Sequence, residues 1–146
     1  KNVRVRNILV GSILAVNLIG LSIYYFDNHQ HRENWKEAVK LIEEKGKEED
    51  ITIFEFPEPF APFRWYSSGK VEALGVTDSV FADPQETYGK TLEAIKNKKG
   101  IYYFEYLRDL SDPGRIVEKT ITEAGFKQID VFEYPNLGQI HYFFKE

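Results

Sequence analysis

The sequence contains no cysteine and no methionine. Without cysteine there is no disulfide, no thiolate metal site and no cysteine nucleophile, and the redox compartment stays open. The missing methionine includes position 1, which is Lys1, so the chain is expected to be part of a longer product. Histidine is scarce: His29, His31 and His141 are the three. His29 and His31 are two residues apart, so on a helix they point to different sides and make a poor metal pair. His141 reads as a sheet-face residue in the last strand-like segment. A glycine-rich phosphate loop is also missing. The residues after the first strand-like segment are Pro57-Glu58-Pro59-Phe60, where a dinucleotide fold would place GxGxxG. No GxSxG nucleophile elbow occurs. These absences leave no residue assigned a catalytic role, no metal site and no cofactor.

Charge is unevenly spread. Residues 1–26 hold Lys1, Arg4 and Arg6 and no acid, while the rest of the chain carries 16 basic and 23 acidic side chains, a net charge of −7. An acidic domain with no basic stripe does not suit a phosphate backbone, so nucleic acid is not an expected partner. Hydrophobic residues make up 42% of the chain and charged residues 29%, which suits a folded domain rather than a disordered tract.

One long hydrophobic run is present. Ile8 to Phe26 is 19 residues without a charge. As a helix at about 1.5 Å per residue it spans about 28 Å, close to the hydrocarbon thickness of a bilayer. Tyr24 and Tyr25 fall where an interfacial aromatic belt sits, and Arg4 and Arg6 flank the other end. These four are the expected membrane-interface residues. A cleaved signal peptide fits poorly, because no small-residue cleavage site follows the run. Asn17, in mid-segment, suggests a neighbouring helix to hydrogen-bond. The basic flank predicts a cytoplasmic N-terminus, and an extracytoplasmic domain at the cell membrane. The expected organisation is a cytoplasmic flank over 1–7, a transmembrane helix over 8–26 and an extracytoplasmic domain over 27–146.

The remainder reads as α/β. Asn34 and Glu37 resemble a capping box before a helix with Trp35, Ala38, Val39 and Ile42 on one face. Ile51–Phe56 is apolar and β-branched, a strand ended by Pro57, Pro59 and Pro62. Phe63–Ser68 predicts a short helix closed by Gly69, and Val71–Val76 a second strand. Asp83 and Pro84 start a helix running to about Lys98. Ile101–Leu107 is the strongest strand signal. A helix over Arg115–Ala124 ends at Gly125. Lys127–Tyr134 and Gln139–Phe144 close the chain as two strands joined by Pro135-Asn136-Leu137-Gly138. Alternating strands and helices predict a layered domain with a mostly parallel, Rossmann-like sheet and a C-terminal antiparallel hairpin. Glu55, Glu58, Glu105 and Asp109 read as exposed strand-end charges. One cluster bracketed by prolines, Phe60, Phe63, Arg64, Trp65 and Tyr66, reads either as a packed connector above the sheet or as a functional surface. In the second reading Phe63, Arg64, Trp65 and Tyr66 are the candidate substrate- or membrane-facing residues, since aromatic faces stack on sugar rings and lipid headgroups and Arg64 can pair with a phosphate.

The order of features resembles a known group. A last hydrophobic helix leads to ENWKEAVKLIEEK, then DITIFEF, an aromatic segment FRWYSSG, a strand IYYFEYL, Asp112 before another helix, and a hairpin ending QIHYFFK. This resembles the C-terminal extracytoplasmic domain of polytopic glycosyltransferases of the protein mannosyltransferase and aminoarabinose transferase type. The resemblance implies a parent enzyme that moves a sugar from a polyprenyl-phosphate donor to an extracytoplasmic acceptor. Its catalytic carboxylates lie in an early loop outside this chain, so this part is implied to be non-catalytic. The implied partners are the lipid bilayer, the other transmembrane helices of the parent and a lipid-linked sugar. The alternative is a single-pass, membrane-anchored binding or interaction module.

Overall fold

The computed structural model describes residues 2–26 and 33–146. Asp27, His29 and His31 lie outside the described residues. The chain divides into two compact units, the first ending at Glu33 and the second running Asn34–Glu146.

Among its described residues the first unit has one helix, α1 (Val3–Phe26), with no buried residue. It is long and apolar enough to cross a membrane. Two of its polar side chains bond within the helix: Asn17 Nδ2 donates to the Ile13 carbonyl at 2.8 Å, and Ser22 Oγ to the Leu18 carbonyl at 2.8 Å. Asn17 therefore has an acceptor on its own helix, where a neighbouring helix was expected to supply one. Arg4 and Arg6 lie in the first turn, and Tyr24 and Tyr25 in the last, their rings edge-to-face at 5.6 Å.

The second unit has five strands and five helices in the order α2 (Trp35–Lys45), β1 (Asp50–Phe54), α3 (Ala61–Tyr66), β2 (Glu72–Gly75), α4 (Pro84–Ile95), β3 (Gly100–Phe104), α5 (Arg108–Ser111), α6 (Ile116–Glu123), β4 (Lys127–Tyr134) and β5 (Gly138–Phe144). The strands form a single mixed sheet in the order β2-β1-β3-β5-β4. β1 pairs in parallel with β2 and with β3. β5 is antiparallel to both β3 and β4. Parallel and antiparallel pairings are thus equal in number, against the expected mostly parallel sheet. Both strands of near-continuous apolar sequence, β1 and β3, are internal and buried throughout, Asp50 and Thr52 included. A strand covered on both faces requires that composition.

Alternation along the strands creates two cores. Phe54, Tyr102, Phe104 and Ile140 face α2 and α3, packing on Trp35, Ala38, Val39, Ile42 and Phe63. Ile51, Ile53, Ile101 and Phe143 face the other way, onto Ile95 of α4 and Val117 and Ile121 of α6. The domain is therefore a helix–sheet–helix sandwich. Glu43 links α2 to the segment after α3. Burial alone would raise its pKa, but hydrogen bonds from Ser68 and Ser67 hold the carboxylate below its ordinary value.

Local starts and stops differ in detail from expectation. Asp83 caps α4 as read, its Oδ1 accepting from Gln85 N at 3.0 Å and Glu86 N at 2.8 Å. Asn34 makes no side-chain cap bond, because its ψ of 53° is outside the extended conformation a capping side chain needs. Ser67, not Gly69, is the C-cap of α3.

Candidate functional site

The face that carries Ile51 and Ile53 on β1 places Glu55 next in the same row. On β3 the row runs Ile101, Tyr103, Glu105, and on β5 it runs Phe143, His141. One face of the sheet thus changes from aliphatic to ionisable toward the carboxyl ends of β1 and β3. The chain leaves β1 toward α3 on one side and leaves β3 toward α5 and α6 on the other. Strand ends of this kind, where successive connections diverge, are where open α/β sheets form crevices.

Glu55 is fully buried. Tyr103 Oη donates to its Oε1 at 2.5 Å. Among the described residues, Oε2 meets no hydrogen-bond donor. The Asp112 carboxyl, itself buried, is close enough to hydrogen-bond with Glu55 and to repel its charge. Asp112 Oδ2 is already committed to Val117 N at 2.9 Å, tying the turn before α6 to the helix. Burial pushes the Glu55 carboxyl up to about 8; the Tyr103 hydrogen bond opposes this and Asp112 reinforces it. At neutral pH the buried Glu55 carboxyl is therefore held in its protonated form. Tyr103 is raised as well, chiefly by burial and then by the charge of Glu55, so its hydroxyl stays a donor.

Arg108, at the start of α5, pairs with Glu105 and approaches Asp109 Oδ1 at 3.4 Å. His141 lies between Gln128 Oε1, 3.1 Å from Nδ1, and Glu105 Oε2, 3.4 Å from Nε2. Burial lowers the His141 pKa; Glu118 partly offsets this and Arg108 adds to it. Burial thus favours the neutral imidazole, whose single N–H serves either Gln128 or Glu105 according to its tautomer, and Arg108 balances the Glu105 charge. Its ring lies 5.7 Å from that of Tyr103. Among the described residues no group of three or more His, Asp or Glu is placed to hold a metal ion.

Two of the four carboxylates read as exposed strand-end charges are not exposed. Glu55 is in the interior, and the Glu105 side chain is only 22% exposed, beneath Arg108. Glu58 and Asp109 are exposed as read. The signal that could have found Glu55 is its place in the alternation after Ile51 and Ile53. The following Phe56-Pro57 obscures it.

The aromatic cluster divides. Phe63 is in the core, with its ring 5.0 Å from that of Phe54. Trp65 is 82% exposed, and Tyr66 is also exposed. Arg64 Nη2 lies 2.6 Å from Glu58 Oε2, so its charge is met on the surface. Beside them is an open groove of roughly 530 Å3 lined by Pro57, Pro59, Phe63, Arg64, Ser68 and Leu74. Arg4, Arg6, Tyr24 and Tyr25 occupy the ends of α1, all exposed.

No known family model matches the chain, and no curated protein or solved structure matches it.

Proposed function

We propose that this chain is the last transmembrane helix and the extracytoplasmic domain of a polytopic glycosyltransferase that uses a polyprenyl-phosphate sugar. In this reading α1 crosses the cell membrane with Arg4 and Arg6 on the cytoplasmic side. The domain stands outside as a non-catalytic part that covers the active site or selects the acceptor. The observation that carries the reading is the sequence of parts: one uncharged membrane-length helix, basic on its N-terminal flank, then an α/β domain opening on Asn34-Trp35. The parallel β2-β1-β3 half supports a Rossmann-like ancestry, and β4–β5 closes it as a terminal hairpin. Trp65 and Tyr66, exposed beside the Arg64–Glu58 pair, are the surface offered to a sugar-bearing substrate.

The test has two parts. The coding sequence upstream of Lys1 is expected to encode further hydrophobic spans and an acidic first extracytoplasmic loop. The purified chain, incubated with polyprenyl-phosphate sugars and acceptor, is expected to transfer nothing above blank. Turnover by the chain alone would sink the non-catalytic assignment, and a short basic start upstream would favour the single-pass binding module instead.

A further inference from the structure

Exposed large apolar side chains occur on α3, β2, α4 and β4, and four more stand on the two segments that follow β2 and β3. Phe81 is 85% exposed on the segment between β2 and α4, next to Val80. Leu107 and Leu110, about half exposed, stand on the segment after β3. The two segments are joined by a backbone hydrogen bond from Ala82 N to Ser111 O at 3.4 Å. Leu107 is held in the left-handed backbone region at φ 61°, a conformation leucine rarely adopts. These four residues make one apolar rim at the carboxyl ends of the parallel strands.

The chain also enters the domain at this edge. Asn34 N donates to the Pro135 carbonyl at 3.4 Å, in the connection between β4 and β5. Residues 135–137 lie at the same end of the sheet, because Phe104 at the end of β3 pairs with Ile140 near the start of β5. The Trp35 ring packs against Phe60 at 5.6 Å and Tyr106 at 5.2 Å, on the segments that follow β1 and β3. The entry point and the rim therefore share one edge of the domain.

We infer that this rim, Val80, Phe81, Leu107 and Leu110, docks on the surface of a lipid bilayer. The inference rests on the membrane reading of α1. A bilayer is the occupant because the polypeptide arriving from a membrane-length helix joins the domain at the edge that carries the rim. Apolar and aromatic side chains on loop tips enter the headgroup layer for the reason amphipathic helices do. The neighbouring charges are mixed or acidic. Asp78 accepts from Asp83 N at 3.2 Å, Asp83 caps α4, and Arg108 is committed to Glu105. The contact is therefore apolar and does not require anionic lipid.

The absence of cysteine makes the test direct. Single variants Phe81→Cys, Leu110→Cys, Ile129→Cys and Leu14→Cys of the whole chain are labelled with a small fluorophore and reconstituted in phosphatidylcholine vesicles. Ile129, 60% exposed, is the comparison, since β4 begins at the opposite end of the sheet. Nitroxide-bearing lipids are expected to quench labels at 81 and 110 several-fold more than at 129, and deep-chain nitroxides to quench the label at 14. Equal quenching at 81, 110 and 129, with the label at 14 still reached, would overturn the rim and leave the membrane helix standing. Labels at 81 and 110 shielded from a water-borne quencher yet untouched by lipid nitroxides would place the rim against protein, and would overturn it too. A label at 14 that lipid quenchers do not reach would remove the membrane reading and this inference with it.

Discussion

Burial sets the chemistry of Glu55. With no donor on Oε2 and Asp112 beside it, the carboxyl keeps its proton until about pH 8, whereas in an unfolded chain it loses it near 4.5. Between those values the folded state binds more protons than the unfolded state. Stability from this group is fully present below about pH 4.5 and is lost as pH rises through about 8. The slope is at most about 1.4 kcal/mol per pH unit within that window. Glu55→Gln keeps an acceptor for Tyr103 and cannot ionise. The variant is expected to lose this part of the pH dependence and to exceed the parent in stability above pH 8. Urea midpoints at pH 5, 7 and 8.5, followed by fluorescence of the buried Trp35, measure it. Equal slopes for the two proteins would show that Glu55 is not the titrating group. None of this is legible locally in Phe54-Glu55-Phe56-Pro57. The groups that fix Glu55 are Tyr103 and Asp112, which the fold brings from beyond α4 and β3. The fate of Phe63 is legible only in part, since the spacing of the aromatic cluster does not separate the core member from the exposed Trp65.

Elements were easier to read than sites, because their causes are near in sequence. The Asp83-Pro84 start, the β-branched and aromatic runs of β1 and β3, and Gly125 at φ 90° each act within a few residues. Strand direction was less legible. That β5 inserts between β3 and β4 depends on pairing of distant segments, such as Phe104 with Ile140. Glycines separate local from tertiary causes. At Gly75, the end of β2, an added Cβ would overlap the Phe56 carbonyl oxygen and the Glu58 amide, backbone that cannot swing away. Gly75→Ala is expected to cost about 2 kcal/mol or more. Gly89 lies inside α4 with nothing within 4 Å of its missing Cβ. Gly89→Ala is expected to stabilise by roughly 0.5–1 kcal/mol, the helix-interior difference between the two residues. Asp83→Ala removes two amide contacts and is expected to cost about 1 kcal/mol. Chemical denaturation of the three variants side by side checks the order: Gly75→Ala least stable, Gly89→Ala most.

At the scale of the molecule the chain joins a segment suited to lipid to a domain suited to water. In α1 the residues Ile8, Leu9, Val10, Ile13, Leu14, Val16, Leu18, Ile19, Leu21 and Ile23 each favour a bilayer interior by roughly 0.3–0.6 kcal/mol near its centre. Asn17 and Ser22 give their hydrogen bonds to carbonyls of the same helix, which reduces the penalty for taking them out of water. No ionised group lies between Arg6 and Asp27, so none has to be desolvated. The two cores of the second unit draw all their members from residues after Asn34, so that domain has its own reason to fold. Which side of the membrane it occupies follows, in the proposed reading, from Arg4 and Arg6 at the start of α1 and the absence of a basic residue at its end. The domain is then outside. Lys45 and Lys47, exposed where α2 ends, are the natural cleavage sites. In intact spheroplasts, externally added trypsin is expected to cut there, giving two fragments on a denaturing gel, the smaller carrying α1. Protection of the domain until the membrane is permeabilised, together with labelling of Lys47 from the cytoplasmic side, would show the orientation to be reversed.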